Sequence, residues 1–259
     1  MSNPRPMPYL PQEILDYIVD LLRDEPETLK QCCLVSKSWV LRTRTHLFSD
    51  IEFRSPDDLE TWKKIFPDPA RSPAYHTHSL FVGSLQAVTA ADAEEGGWIR
   101  TFSNVVRLDV RSGIINLSES PGSLVPFHNF SPVLKSLRVT SRSLSSSQVF
   151  NLICSLPLLE DLSIRSHGMG SSDDDGTVFQ PSTSPVLTGT LAIYLPQGME
   201  YTTRRLFGLP NGLHFRKFVC TWCLGEDLRW ITTLVEGCSD TLECVDIECC
   251  FPRTFLRSL

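Results

Sequence analysis

The first fifty residues have apolar side chains at helical spacing. Pro11 can occupy the first position of a helix, because its missing N–H costs nothing there, and Glu13 suits the positive end of the helix dipole. The apolar residues that follow cover an arc of roughly 160°, wider than the ~100° stripe of a surface helix. They are Ile14, Leu15, Ile18, Val19, Leu21 and Leu22. A helix with this arc is either fully buried or contacts two surfaces.

Two further short helices are predicted before residue 50. Pro26 restarts the chain after the first helix, and Ser36 is a good N-cap for the third. Their apolar faces are formed by Leu29, Cys32 and Cys33, and by Trp39, Val40 and Leu47. Helices in so short a segment bury little surface by themselves. Either a partner covers the surplus apolar surface, or the segment packs on the rest of the chain.

Beyond Phe48 the pattern changes to short apolar strands that recur about every 28 residues. The strand centres are Ile51, Leu80, Leu108, Leu137, Leu162, Leu191, Phe218 and Val245. Most units have an apolar residue three positions before the centre and another two positions after it. The unit at Leu191 deviates, because Leu187 lies four positions ahead, and a bulge or a slipped register is expected there. Repeats of this size are typical of leucine-rich-repeat-like solenoids.

The segments between the strands are predicted to be helical or irregular returns. Ser55 begins a capping box with Pro56 at the first helical position. Gly237 is expected to end a helix as its C′ residue, and Asn211-Gly212 is expected to form a turn. Further helices are predicted over residues 147–155, 199–206 and 226–236, with loops or irregular returns over 83–97 and 113–127.

Alternating strands and helices also fit a doubly wound sheet, which has helices on both faces. Strands of such a sheet are normally apolar throughout, whereas these strands alternate. Polar residues on the non-core side include Arg107, Asp109, Arg138, Asp161, Arg165, Lys217 and Asp246. One solvated face and one covered face is typical of a solenoid. The predicted fold is therefore α/β, with N-terminal helices followed by an irregular solenoid of parallel strands and helical or loop returns.

The composition of the chain limits the kinds of molecule that it is expected to bind. Apolar residues make up 41% and charged residues 21% of the 259 residues, as in ordinary globular proteins. The net charge is −6 and no stretch is dense in Lys and Arg, so nucleic acid is not expected as a partner. Arg42, Arg44 and His46 form the nearest basic group, and a solvated helix face explains them better.

Neither a secretory signal nor a membrane span is expected from the sequence. The first ten residues lack an apolar h-region, and no run approaches the ~18 apolar residues of a membrane helix. The nine cysteines are an odd number without a regular spacing. They are expected to be reduced thiols of a cytosolic or nuclear protein.

The sequence contains few patterns that could carry catalytic or metal-binding chemistry. Phosphate-binding loops, zinc-protease motifs and nucleophile elbows are absent from it. Cys220 and Cys223 have the spacing of a zinc knuckle, but structural thiols are favoured because a second such pair is missing. His76 and His78 could bind a metal from one side of a strand, although an exposed loop edge is the commoner arrangement. The acidic run at 171–176 indicates a solvated insertion. We expect no catalytic residue, metal or cofactor.

The N-terminal segment resembles an F-box. The motif opens with Leu-Pro-x-Glu at Leu10 to Glu13 and continues with Ile and Leu at helical spacing. It closes with Val-Ser-Lys-x-Trp at Val35 to Trp39 and Leu-Phe at Phe48. The resemblance implies docking to a Skp1-like adaptor and, through it, to a cullin-based ubiquitin ligase. The residues it places at that contact are Leu10, Pro11, Ile14, Leu15, Ile18, Leu22, Val35, Ser36 and Trp39.

The order of an F-box before degenerate leucine-rich repeats is similar to that of many fungal F-box proteins. The expected organisation is a disordered segment over 1–7, a helical module over 8–48 and a solenoid over 49–259. The solenoid lacks an evident terminal cap, so it is either truncated or closed by Phe251 and Phe255.

The expected function is that of a substrate receptor for ubiquitination, with an unknown target protein held on the solvated strand face. Target-binding candidates are Arg107, Asp109, Arg138, Arg165, Tyr194, Lys217, Asp246 and Glu248. The alternative is a repeat scaffold outside a ligase, with the helices acting as a solenoid cap. An enzyme has no support in the sequence.

Overall fold

The computed structural model describes residues 10–84, 88, 97–111, 124–128, 130–141, 146–166, 185–194, 199–223 and 227–249. The α-helices of this part are α1 (Gln12–Leu21), α2 (Pro26–Val35), α3 (Lys37–Leu47), α4 (Pro56–Ile65), α5 (Ser146–Cys154), α6 (Met199–Phe207) and α7 (Leu228–Gly237). The strands are β1 (Asp50–Phe53), β2 (Ser79–Val82), β3 (Arg107–Arg111), β4 (Ser136–Ser141), β5 (Asp161–Ser166), β6 (Thr190–Tyr194), β7 (Lys217–Cys223) and β8 (Cys244–Cys249). Short 3₁₀ turns cover Pro69–Arg71, Pro73–His76, Trp98–Thr101 and Val125–Phe127.

The eight strands form one parallel sheet whose spatial order is the order of the chain. Each strand is hydrogen-bonded to the next along the sequence, from β1 at one edge to β8 at the other. The predicted α/β class with a parallel sheet is confirmed. The eight predicted strand centres are also confirmed as one row of direct neighbours, from Ile51 beside Leu80 to Phe218 beside Val245.

Alternation along the strands separates two faces of the sheet. Leu108 and Val110 are buried in β3, whereas Arg107 and Arg111 beside them are exposed. The buried strand residues share one continuous core with apolar side chains of the returns. The core includes Leu59 of α4, Phe102, Phe130, Val149, Leu206 and Ile231. Among the described residues the returns therefore cover one face of the sheet, unlike those of a doubly wound sheet.

Carbonyl groups just before the strands fix the register. His78 and Ser79 both donate to the carbonyl of Ser49 at 2.8 and 3.0 Å, and the corresponding pairs recur at later strands. At β6 the pattern changes, because the N–H of Thr190 donates to the carboxylate of Asp161 at 2.6 Å. A Cβ at Gly189 would lie only 2.2 Å from that carboxylate, so glycine is needed for this contact.

The irregular spacing of the Leu191 unit therefore arises just before β6, where Gly189 and Thr190 contact the carboxylate of Asp161. The expectation of a bulge or a slipped register there was wrong, because β6 pairs continuously with β5 and β7. The register shift of the sheet occurs instead between β7 and β8, at Thr221 and Cys223. Trp222 between them has a φ of 67°, which a bulky residue rarely adopts.

The predicted helices lie within about two residues of the observed ones, as is usual for helix ends. Pro11 is the N-cap of α1 and not its first helical residue. Ser36 caps α3, and the Asp58 carboxylate accepts from the N–H of Ser55 at 2.8 Å at the start of α4. Gly212 has a φ of 71° and provides the predicted turn.

Gly237 has a different role from the expected one. It is the last residue of α7, and Cys238 forms the C-cap. A Cβ at Gly237 would lie 2.4 Å from the ring of Phe207, so the small residue allows α6 and α7 to approach each other. The predicted disordered N-terminus at 1–7, the acidic run at 171–176 and the proposed terminal cap of Phe251 and Phe255 lie outside the described residues.

Candidate functional site

The three N-terminal helices, here called the helical module (residues 10–48), have a very small core. Its buried side chains are those of Val19, Leu29, Cys32 and Thr43. None of these apolar side chains belongs to the continuous core of the sheet region. The module contacts the sheet region where the Thr45 hydroxyl lies 3.4 Å from Nδ1 of His76 and where Phe48 packs edge-on against Trp62.

One side of α1 is an exposed apolar stripe. Ile14, Tyr17 and Leu21 are separated by three or four residues, which places them on one face of α1, and all three are exposed. Leu10, just before the helix, is exposed as well. Val19 on the opposite side is fully buried. The described part of the chain therefore leaves the surplus apolar surface of α1 in solvent. Such a surface is typical of a contact with another protein.

The residues predicted at the adaptor contact fall into two groups. Four are exposed: Leu10, Pro11, Ile14 and Val35. Five are partly buried: Leu15, Ile18, Leu22, Ser36 and Trp39.

Four further apolar side chains of the module are exposed: Tyr17, Leu21, Leu34 and Leu41. Sequence reasoning placed Leu21 on the apolar side of the first helix but not at the adaptor contact, and it did not single out the other three. Tyr17 and Leu21 continue the helical spacing of Ile14 and could have been found from it. Leu34 and Leu41 lie on the solvent side of short helices and have no comparable periodicity.

Asp20 joins α1 to α3 through two basic side chains. Its carboxylate accepts two hydrogen bonds from the guanidinium of Arg42, each 2.6 Å long, and lies 2.7 Å from Nε2 of His46. Hydrogen bonds from Arg42 and then His46 lower the pKa of Asp20 to about 2. The pKa of Arg42 is raised by the same pair. The expectation of a solvated helix face is confirmed for Arg44, which is exposed, whereas Arg42 and His46 are partly buried and contact Asp20.

Asp20 should stabilise the fold at neutral pH and lose this effect in acid. A carboxyl whose pKa is lowered on folding stabilises the fold above its ordinary pKa, and that stabilisation is lost as the pH falls from about 4 towards about 2. Because 35% of the Asp20 side-chain surface is exposed, solvent screening reduces the contribution to about 1 kcal/mol. Urea unfolding of Asp20→Asn, followed by circular dichroism, should show this loss at pH 7 and at most half of it at pH 2.

Asp24→Asn is the matched control for this prediction. Asp24 pairs with Arg23 at the exposed end of α1 and its side chain is almost fully in solvent. Its free energy of unfolding should stay within a few tenths of a kcal/mol of the parent at both pH values. An equal loss for Asp20→Asn at pH 7 and pH 2 would contradict the role of the ion pair.

The second candidate surface is the outward face of the sheet, here called the strand face. It has a groove of about 490 Å³ that crosses strands β2 to β7. Five of the eight predicted target-binding residues line this groove: Arg107, Asp109, Arg138, Tyr194 and Lys217. Arg165 lies in an adjoining pocket with Arg138 and Tyr194. Asp246 and Glu248 lie on the edge strand β8 and do not line the groove.

Several charges of the strand face are already paired. The carboxylate of Asp109 lies 3.1 Å from the guanidinium of Arg111 and 3.8 Å from that of Arg138. The guanidinium of Arg111 also stacks over the ring of Phe81 at 4.6 Å. Sequence reasoning missed Arg111, although the alternation of β3 places it on the same face as Arg107 and Asp109. These contacts restrict the mobility of the Asp109 and Arg111 side chains on the strand face.

The thiols of the sheet region behave as core residues. Cys154, Cys220, Cys223 and Cys238 are buried and free. Burial raises the pKa of Cys220 to about 12 and that of Cys154 to about 11, so neither is a thiolate at neutral pH. His76 lies in a buried 3₁₀ turn and not on a strand. Within the described ranges, no group of three or more His, Cys, Asp or Glu side chains could hold a metal ion.

Comparison with known proteins returned no relative. No family model, no curated protein and no solved structure matches the chain. Among the residues described above, none of the helices is long and apolar enough to cross a membrane.

Proposed function

We propose that this protein is a substrate-receptor subunit of a ubiquitin ligase. Its helical module is an F-box that docks on a Skp1-like adaptor and thereby on a cullin, and its strand face captures the target protein. The main support is the exposed apolar stripe of α1, which the described part of the chain does not cover. A helix that is buried on one side and apolar on the other needs a second protein surface.

The sheet region is proposed to be an irregular leucine-rich-repeat-like solenoid. Three observations support this assignment: the strand order follows the chain, the strand centres form one row, and the returns share a core on one face. In solenoids the remaining face is an extended binding surface. The groove across β2 to β7 has this position.

The activity proposed for the chain is binding without catalysis, in the cytosol or the nucleus. The perturbed acids and thiols have structural explanations: Asp20 joins two helices, and the thiols with raised pKa are buried core residues. Neither group lies in the groove of the strand face. The target is recognised by charge and shape in this proposal.

One observation favours a second candidate function, a non-catalytic repeat scaffold whose helices only cap the first strand. Phe48 at the end of α3 packs on Trp62 and on Phe66, with ring centroids 5.9 and 6.1 Å apart. Solenoids need such a cap at each end. A cap, however, needs no exposed apolar stripe on its outer side.

Co-expression with a Skp1-like adaptor tests the receptor proposal against the scaffold. The full chain should elute from a size-exclusion column as an equimolar complex with the adaptor. Chains that elute separately, while retaining the helical circular dichroism of the module, would leave the scaffold function as the explanation.

Target capture should depend on the arginines of the strand face. The double variant Arg138→Glu, Arg165→Glu reverses two positive charges at exposed positions, so folding should change by less than about 1 kcal/mol. The amount of target protein cross-linked in cells should be at least tenfold lower for the variant than for the parent, while the amount of bound adaptor stays the same. Quantitative mass spectrometry measures both, and an unchanged set of cross-linked proteins would contradict target capture by this face.

A further inference from the structure

Two thiols meet where the strands β7 and β8 end. Cys223 and Cys249 are direct neighbours in the register of these strands, and their sulfur atoms lie 3.3 Å apart. Both thiols are free, and the S–H of Cys223 donates to the sulfur of Cys249. Paired residues of neighbouring strands lie about 4.8 Å apart, within the ~4.4–6.8 Å between the Cα atoms of a disulfide. A disulfide bond of ~2.05 Å therefore needs only a small approach of the two sulfur atoms.

A bulge in β7 turns Cys223 towards its partner. Phe218 and Cys220 are buried, so regular alternation would bury Trp222 next and turn Cys223 outwards. The register shift at this point reverses the two, because Trp222 is 54% exposed and Cys223 is buried. Trp222 has the φ of 67° that a bulky residue rarely adopts. Bulges re-aim side chains, and backbone strain of this kind is concentrated at functional sites.

The two thiols differ in their access to solvent. Cys249 lies on the edge strand β8 and is partly exposed, whereas Cys223 is buried. An oxidant from solution therefore reaches the sulfur of Cys249 first. Burial raises the pKa of Cys223 to about 11, so Cys223 is a protonated thiol at neutral pH. An accessible thiol beside a second thiol that can resolve it is the usual arrangement of a redox-sensing pair.

We propose that Cys223 and Cys249 form a reversible disulfide when the protein meets a hydroperoxide. The sulfur of Cys249 attacks one peroxide oxygen and the O–O bond breaks. Cys249 is thereby oxidised to a sulfenic acid, and the departing oxygen takes the thiol proton and leaves as water or an alcohol. The sulfur of Cys223 then attacks that of Cys249, and the sulfenic hydroxide leaves as water with the thiol proton of Cys223. A thiol reductant restores both thiols by exchange.

The disulfide fastens the edge strand to the sheet. In the described sheet, β8 pairs with β7 alone. Its local opening requires separation from β7, which a covalent bond at the ends of both strands prevents. Reversible disulfides of this kind suit a reducing compartment, where lasting structural disulfides are rare. The modification is independent of the proposed adaptor binding, since neither thiol belongs to the helical module.

Oxidation of the purified full chain by hydrogen peroxide tests this assignment. Mass spectrometry of non-reduced peptides should find Cys223 joined to Cys249, and dithiothreitol should return both to thiols. Hydrogen–deuterium exchange of the β8 amides should be at least about tenfold slower in the oxidised chain than in the reduced chain. Both measurements use the parent chain, so they hold however well a variant of the buried Cys223 folds.

Dimedone, which labels sulfenic acids, separates the roles of the two thiols. It should label Cys249 at least about tenfold more in Cys223→Ala than in the parent, because the variant lacks the thiol that consumes the sulfenic acid. Cys244→Ser is the matched control. Cys244 is an exposed thiol of the same strand beside Lys217, so its replacement should leave the disulfide intact. Cys250→Ser should also leave it intact, although Cys250 is adjacent to Cys249 in the sequence.

Four results would contradict this disulfide or its effect. The parent could stay reduced in peroxide, or Cys223 could be joined to Cys220 or Cys250 instead. Dimedone could label Cys249 equally in the parent and in Cys223→Ala, which would exclude Cys223 as the resolving thiol. Amide exchange of β8 that is unchanged by the disulfide would exclude its effect on the edge strand.

Discussion

The double variant Ile14→Asp, Val35→Lys should lose adaptor binding by at least about 100-fold while keeping its fold. Both side chains are exposed, at 46% and 69% of their surfaces, so their replacement removes little internal packing. Asp in the first turn of α1 and Lys at the last residue of α2 are each favourable with the helix dipole. Charges placed in an apolar contact lose hydration without gaining a partner, at a cost of several kcal/mol.

The chain offers matched controls for both substitutions. Leu228→Asp changes an apolar residue that is 44% exposed at the first position of α7. Ile65→Lys changes one that is 63% exposed at the last position of α4. Neither lies in the helical module, so this control pair should bind the adaptor like the parent. Isothermal titration with the adaptor measures all three proteins, and equal losses in both double variants would contradict docking through the module.

The fold was predictable because its repeat is a property of spacing. A parallel strand requires its inward residues in line with those of its neighbours, and apolar residues recurring about every 28 positions are enough to locate them. The row from Ile51 to Val245 was found in this way. The contact of Gly189 with Asp161 was not, because it depends on a side chain that replaces a backbone acceptor. The spacing of hydrophobic residues does not indicate that a carboxylate takes the place of a backbone carbonyl at this point.

The sequence predicts on which face of the sheet the candidate site lies better than it predicts which residues form it. Alternation places Arg107, Arg138 and Lys217 on the outward face, and the structure brings them to one groove. Which outward residues share a cavity depends on side-chain reach across neighbouring strands. Arg111, Thr140 and Ser163 line one cavity with Arg138 and Arg165 for that reason. Gly237 was misinterpreted for a similar reason, because its neighbour Phe207 comes from another helix.

Replacing the central core residue Leu137 by Ala should destabilise the protein by about 3–4 kcal/mol, within the usual range for a fully buried leucine. Leu137 is fully buried in β4, and its direct neighbours in the sheet are Leu108 and Leu162. Each unit of a repeat fold is stabilised mainly by its neighbours, so a cavity at the middle of the row weakens the contacts on both sides. Urea unfolding followed by circular dichroism measures the free energy of unfolding.

The same substitution at Leu158 separates burial from residue type. Leu158 is exposed in the turn before β5, and Leu158→Ala should cost less than about 1 kcal/mol. Val245→Ala tests position in the row, because Val245 lies on the edge strand β8 and is partly exposed. It should also cost less than about 1 kcal/mol. If Val245→Ala were as destabilising as Leu137→Ala, the exposed position of Val245 at the sheet edge would be contradicted.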